Sequence, residues 1–325
     1  MALYLVTGAA GFIGARVADF LLDAGHQVVG VDNFAPAYDE RLKRYRLERL
    51  QRREGFTFHQ VDITDRDAVF ALGERHRFDG VINLAARAGV RYSVENPWVY
   101  IQTNTTGALN LLEMSRRYGV PKFVQASTSS LYGEGNPVPY REDANTDRVL
   151  SPYAASKKAA EALCYTYHRL YGLDITVFRY FTVYGPAGRP DMAPFRFVQW
   201  IAEGRPLHLF GDGSQSRDFT YVDDIARGTV LGLKPLGYEV INLGNDRPYT
   251  VNELIALIEN AVGRKAKIVR EPRHPADVET TWASIEKARR LLGWQPTVTL
   301  PEGISRTVEW YLAEREWASQ VETGV

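Results

Sequence analysis

The sequence predicts an α/β protein: a Rossmann-type, doubly wound parallel sheet with a smaller, discontinuous α/β region folded against it. Three observations carry that prediction. Short β-branched and aromatic runs alternate with helical stretches as far as Phe181, and a glycine triplet stands between the first run and the first helical stretch. After Thr182 the alternation gives way to Gly-Pro pairs and "GDGSQS".

The runs "ALYLV", "HQVVGVD", "FTFHQVDI", "DGVINLA", "KFVQAST" and "ITVFRYF" read as strands, bounded by turn-forming residues and apolar on both faces, as strands covered by helices must be. Between them "FIGARVADFLLDAG", "RDAVFALGERH", "TTGALNLLEMSRRYG" and "PYAASKKAAEALCYTYHRLYG" carry the helical period. The basic "DERLKRYRLERLQRREG" admits two readings, a nucleic-acid arm or a solvated surface helix; its intermixed Glu favours the helix. Two further strands are expected around "DFTYVDD" and "YEVINLG", and helices at "TVNELIALIENAVG" and "SIEKARRLLG". Residues 1–181 are therefore expected to form a nucleotide-binding domain, with 214–247 returning to it. Residues 182–213 and 248–325 are expected to form a second region at the carboxyl edge of the sheet.

A chain of 325 residues suits one or two domains sharing a large core. With 39 Lys and Arg against 39 Asp and Glu, nothing electrostatic recommends nucleic acid or an acidic membrane as a partner. No run approaches the roughly 20 apolar residues that cross a bilayer, and no basic leader precedes "LYLVTG". The single cysteine, Cys164, excludes an internal disulfide and a structural zinc site; beside Leu163 it reads as a small buried apolar residue. The expectation is a cytoplasmic protein that handles small molecules and holds no metal.

"VTGAAGFIGA" sets Gly8, Gly11 and Gly14 at the mouth of the first helix, with Phe12 and Ile13 between them. A tight turn, close backbone approach to a pyrophosphate and exposed helix N–H groups require residues without Cβ there. Asp32, followed by Asn33, ends the next strand; a carboxylate there accepts ribose hydroxyls and repels a 2′-phosphate, so the expected cofactor is NAD rather than NADP. Asp62 and Ile63 suit the adenine edge, and Leu84, Ala85 and Ala86 of "NLAA" let a cofactor pass the next strand end. In "SPYAASK", Tyr153 and Lys157 project from one helix face. An ammonium beside a phenol favours the phenolate, which makes a general base for an alcohol whose carbon loses hydride. Ser127 and Thr128 of "STSS" are the hydroxyl partners.

The glycine triplet, "NLAA", "STSS-LYG", "YAASK", "GP" and "RDFTYVDD" together resemble the extended short-chain dehydrogenase/reductase family of nucleotide-sugar epimerases and dehydratases. The resemblance spans essentially the whole chain. It implies tightly held NAD+, a UDP-sugar oxidised through Tyr153 and a keto-sugar intermediate. It also implies that Asn104 helps fix the lysine and backbone, and that Arg217 and Arg273 clamp the substrate diphosphate, although both also read as surface salt-bridge partners. Dehydratases and decarboxylases of the family carry an acid just after the Thr of "STSS"; Ser129 and Ser130 stand here, leaving 4-epimerisation. "FTVYGPAGRPDM" and "RAGVRYSVENP" resemble the branch acting on UDP-glucuronate and yielding UDP-galacturonate. Thr128, Ser129, Ser130, Thr182 and Arg189 would then surround a uronate carboxylate.

Arg91 matches that branch's "GVR", and Asp277 of "EPRHPAD" is placed with the substrate. Arg87 stands open between a phosphate contact and an ordinary salt bridge. Met192 and Phe195 are assigned to the uracil, with a core role for Phe195 equally open. The helices after Thr105 and after Pro152 resemble the family's homodimer-forming pair. Rival readings are a UDP-galactose or UDP-N-acetylhexosamine 4-epimerase, a UDP-glucuronate decarboxylase, and a non-catalytic NAD-binding protein.

Overall fold

The computed structural model describes residues 1–272 and 278–324. The chain begins with β1 (Leu3–Thr7), α1 (Phe12–Asp23), β2 (Gln27–Asp32), α2 (Glu40–Gln51), β3 (Phe56–Gln60), α3 (Arg66–Arg75) and β4 (Gly80–Asn83). Next come α4 (Val90–Glu95), the short α5 (Trp98–Tyr100), a π-helical turn (Ile101–Thr106), α6 (Gly107–Arg117) and β5 (Lys122–Thr128). A 3-10 turn (Ser129–Tyr132), α7 (Pro152–Tyr171) and β6 (Asp174–Tyr180) complete the alternation. The remainder comprises β7 (Thr182–Tyr184), α8 (Ala193–Ala202), β8 (Pro206–Phe210), β9 (Ser216–Tyr221), α9 (Val222–Leu231) and β10 (Tyr238–Leu243), then β11 (Pro248–Thr250), α10 (Val251–Val262), β12 (Lys267–Glu271), α11 (Glu286–Leu292), α12 (Leu300–Ala313) and α13 (Arg315–Ala318).

Seven strands pair in the order β10-β6-β5-β4-β1-β2-β3, and every pairing is parallel. Alternate residues of the central strands feed two cores: Val6, Ile82 and Val124 pack under α1 and α9, and Leu5, Val81 and Phe123 under α3, α6 and α7. Cys164 lies in the second core, fully buried. Strand order reverses between β1 and β4, so a crevice opens beyond their carboxyl ends, where open α/β sheets bind ligands. α7 starts where Ser151 Oγ accepts the Ala154 N–H at 3.2 Å with Pro152 in the first turn, and stops at Gly172, whose φ of +68° only glycine adopts freely.

Beyond β6 the chain leaves the large sheet. β7 pairs with β9, and β11 closes a three-stranded sheet on β9's other edge; β8 and β12 form a separate pair. A third core lies beneath α8, α10 and α12, built from Ile201, Leu254, Ile258, Ile304 and Val308. The segment 214–247 divides: α9 and β10 join the nucleotide half, and β9 does not. β9 pairs with β7 and β11 instead, while its buried Asp218 ties it back to the nucleotide half, the carboxylate accepting the Ala283 N–H at 3.0 Å and the Asn245 N–H just past β10.

The basic segment read as a solvated helix is α2, and that reading needs correcting. Leu42, Lys43, Arg46, Leu47 and Leu50 share a buried face, with Lys43 and Arg46 only 6% and 5% exposed. Both cations find enough carbonyl and hydroxyl acceptors to leave water, which charge counting does not reveal.

Candidate active site

The glycine turn is shaped by atoms it lacks. A Cβ built on Gly14 would lie 2.0 Å from the Gly8 carbonyl oxygen, and one on Gly8 2.8 Å from Ala85 N. Gly8 also has φ of +68°. Asp32 braces the turn from the next strand, its carboxylate accepting the Ala10 N–H at 3.2 Å and the Phe34 N–H at 2.9 Å. Asn33 Nδ2 donates to Asp62 at 2.7 Å. Burial pushes the Asp62 carboxyl up, but hydrogen bonds from Thr64 and Asn33 together outweigh it and hold the group below its usual range.

Gly8, Gly11, Asp32, Asn33, Asp62, Ile63, Leu84, Ala85 and Ala86 line the resulting cleft. Phe12, Ile13 and Gly14 sit at the foot of α1 and do not line it. Arg87 lines the cleft as well, its backbone N–H and carbonyl both bound to Asn104. The sequence reading missed Tyr38, Lys43 and Thr103, which also line it. Lys43 donates to the Ala35 carbonyl at 2.7 Å; burial lowers its pKa, with the Asp32 charge opposing. A cradle that any Cβ would fill, bounded by a ribose-type carboxylate, fits a dinucleotide.

Tyr153 lies on α7, half-buried. Burial pushes its phenol up, offset in part by a hydrogen bond with Thr128 and by the Arg189 charge. Lys157 was expected to favour the phenolate, yet its ammonium donates to the Ala126 carbonyl at 3.0 Å and contributes nothing resolved to Tyr153. Burial depresses Lys157 itself to about 8. Asn104 does not touch Lys157 either: besides Arg87 it holds Ser156 Oγ, at 2.9 Å, so it fixes the lysine's helix rather than the lysine. Ser127 Oγ is buried beside them with no partner, an acceptor and donor free for a bound molecule.

Thr128 caps the 3-10 turn by accepting the Ser130 N–H at 3.1 Å, which presents Ser129 and Ser130, both half-buried, at the end of β5. Thr182 opens β7, two residues past Tyr180, the register partner of Thr128. Arg189 is already in an ion pair: Asp191 accepts from its Nε at 3.0 Å and from Nη2 at 2.5 Å. Its guanidinium also lies 5.9 Å from the Tyr38 ring centroid and 3.5 Å from the Ala88 carbonyl. The arginine therefore stands between the loop that carries Tyr38 and the loop that follows β4.

Other expected substrate residues spread more widely. Arg91 is exposed on α4 and stacks over the Phe210 ring at 4.4 Å; Arg217 donates to the Ser216 carbonyl at 2.7 Å. Met192 stands half-buried at the start of α8. Phe195 is a core residue, 3% exposed with its ring 6.1 Å from Trp310, which removes the uracil reading. Arg273 and Asp277 lie outside the described residues.

A pyrophosphate cradle at the switch point of a parallel sheet, together with a Tyr–Lys pair on one helix, defines an NAD-dependent short-chain dehydrogenase/reductase. The model of the NAD dependent epimerase/dehydratase family matches residues 4–244, and the chain belongs to that family. It is 57% identical over 311 residues to the UDP-glucuronate 4-epimerase of Thermodesulfobacterium geofontis, covering 95% of this chain and 96% of that one. The UDP-glucuronic acid 4-epimerase of Bacillus cereus, solved with UDP-glucuronic acid and NAD, superposes with a TM-score of 0.90 at 37% identity over 96% of this chain and 99% of that one. The UDP-glucose 4-epimerase of Thermotoga maritima, solved with UDP-glucose, does so with the same 0.90 at 36% identity and the same coverage. Backbone shape therefore does not separate uronate from neutral sugar; the side chains must.

Proposed function

We propose that this enzyme, an NAD-dependent nucleotide-sugar 4-epimerase, interconverts UDP-glucuronate and UDP-galacturonate through a 4-keto intermediate. The observation carrying the uronate reading is the group of neutral hydroxyls, Thr128, Ser129 and Ser130, at the end of β5, with Thr182 at the start of β7 and the Arg189 guanidinium acting on Tyr153. No acid stands in residues 128–130 to move a second proton, so neither dehydration nor decarboxylation has its catalyst there.

Bound NAD+ supplies a hydride acceptor at the sugar C4 and a positive ring that favours the Tyr153 phenolate. Gly8, Gly11, Asp32, Asn33 and Lys43 would hold its adenosine and pyrophosphate portions, and Ser127 and Lys157 its nicotinamide end. Tyr153 takes the proton of the C4 hydroxyl as general base, Thr128 supporting the charged oxygen, and returns it once the keto-sugar has turned over. Oxidation at C4 makes a β-keto acid, which loses CO2 when the carboxylate bond aligns with the carbonyl π system. Ser129, Ser130 and Thr182 hold the carboxylate out of that alignment. Arg91, Arg217, Met192, Arg273 and Asp277 serve the UDP portion.

The enzyme works as a homodimer on this reading. Trp98, Ile101, Tyr165 and Leu170, on α7 or in the helical stretch that leads into α6, are 75%, 43%, 52% and 66% exposed, apolar surface that a second copy would cover. No helix among the described residues is long and apolar enough to cross a membrane. The buried lone cysteine supports a cytoplasmic setting.

NMR of UDP-glucuronate and of UDP-glucose, each incubated with enzyme and catalytic NAD+, tests the reading. The expected result is C4 epimerisation of the uronate alone, without pentose product. Equal or better turnover of the neutral sugar replaces this reading with a UDP-glucose-type epimerase.

A further inference from the structure

Arg46 is a fully engaged buried cation, and holding a nucleotide gives it no task. It is 5% exposed and makes five hydrogen bonds, one for each guanidinium N–H. Nη1 donates to the Ala10 carbonyl at 3.2 Å and to Tyr38 Oη at 2.8 Å. Nε and Nη2 both donate to the Ala187 carbonyl, at 3.0 and 2.6 Å, and Nη2 also reaches the Gly188 carbonyl at 3.1 Å. None of these acceptors is a carboxylate. A charge buried among neutral carbonyls is costly unless it organises something or answers an anion nearby.

What it organises is the approach of two loops. Ala10 belongs to the glycine turn, and its N–H is the one held by Asp32. Ala187 and Gly188 immediately precede Arg189, and Ala187 sits at φ of +51°, a conformation an alanine holds only when its surroundings impose it. The contacts run without a gap from Asp32 through Ala10 and Arg46 to Ala187, Gly188 and Arg189. Lysine at position 46 keeps the charge but has three donors on one atom, and cannot reach two loops at once.

We propose that Arg46 is a positioning residue that couples the nucleotide-holding turn to the Arg189 loop, so that the turn's geometry sets where the substrate-facing guanidinium stands. The proposal rests on the assignment of Arg189 to the sugar portion of the substrate. It assigns α2 a part in sugar recognition although α2 contacts neither the hydroxyl cluster nor Tyr153.

The test is a double-mutant cycle at positions 46 and 189, read as equilibrium binding to Tyr153→Phe holoenzyme, which holds substrate without turning it over. The ligands are UDP, which lacks the sugar, and whichever UDP-sugar the wild type epimerises. Arg46→Lys is expected to weaken UDP-sugar binding about tenfold and UDP less than twofold, and to add nothing once Arg189 is Ala. Equal weakening of both ligands, additive effects with Arg189→Ala, or unchanged binding overturns the proposal. If Arg46→Lys does not fold, as judged by bound NAD and a thermal melt, Arg46→Gln is read by the same criteria. Failure of the uronate assignment is a separate outcome: it shows in the wild type as epimerisation of UDP-glucose in preference to UDP-glucuronate.

Discussion

Two loops are joined by Arg46, and they are built by opposite means. The turn from Gly8 to Gly14 takes its shape from missing side chains: every approach in it is too close for a Cβ. The loop from Gly185 to Arg189 takes its shape from a guanidinium brought in from α2, which holds Ala187 at a positive φ. The difference concerns where the instructions lie. A turn defined by absence is written in its own residues; a loop defined by a distant donor is written more than a hundred positions away.

The contrast is sharpened first by removing the chemistry that the two loops serve. Tyr153→Phe keeps both loops and the helix and deletes the proton carrier. Epimerisation should fall by roughly 10²–10⁴-fold, with bound NAD unchanged by absorbance; retained activity would move the base elsewhere. The next largest effect attacks the first loop. Gly14→Ala places a methyl carbon 2.0 Å from the Gly8 carbonyl, a backbone atom that cannot step aside. Overpacking of this kind costs on the order of 3 kcal/mol, about 100-fold in cofactor retention if it falls on the bound form. Full NAD content after gel filtration would show that the turn is looser than described.

The smallest effect belongs to the second loop and runs the other way. Ala187→Gly relieves a left-handed alanine worth about 1 kcal/mol while adding unfolded-state entropy of about the same size. Thermal stability should therefore change by less than about 0.5 kcal/mol, a shift near the limit of a melting curve. A large loss would mean that the Ala187 methyl, rather than the hydrogen bonds of Arg46, holds the loop.

The same division governs what could be read before the structure was seen. The strands of the nucleotide half, the glycine triplet, Asp32 and the Tyr153–Lys157 pair are local patterns, each with a reason contained in a few neighbouring residues. Lys43 and Arg46 escaped because a helix rich in both charges looks solvated, and which cations are buried depends on acceptors at Ala10, Ala35 and Ala187. Arg189 was read as awaiting an anion, whereas Asp191, two residues on, already supplies one. Lys157 was given a direct electrostatic role that its bond to Ala126 does not support. β9 was expected to return to the nucleotide half with the rest of 214–247, and it pairs instead with β7 and β11, because strand propensity says nothing about partners. In each case the pattern identified the residue or element correctly and the tertiary partner decided its task.

The π-helical turn at Ile101–Thr106 acts as a phase shifter. An α-helix advances about 100° per residue, so one extra residue in a turn rotates everything before it relative to everything after. Ahead of the shift, Trp98 faces outward and Tyr100 inward; within it, Ile101 is exposed and Asn104 points inward to Arg87 and Ser156; after it, Ala108 and Leu111 enter the core. A single continuous helix thus combines an exposed face and a buried one while aiming one amide at Arg87 of the cleft wall. Removing one residue from this stretch would leave the helix intact and turn Asn104 away from both partners: an error of angle, with no loss of structure to announce it.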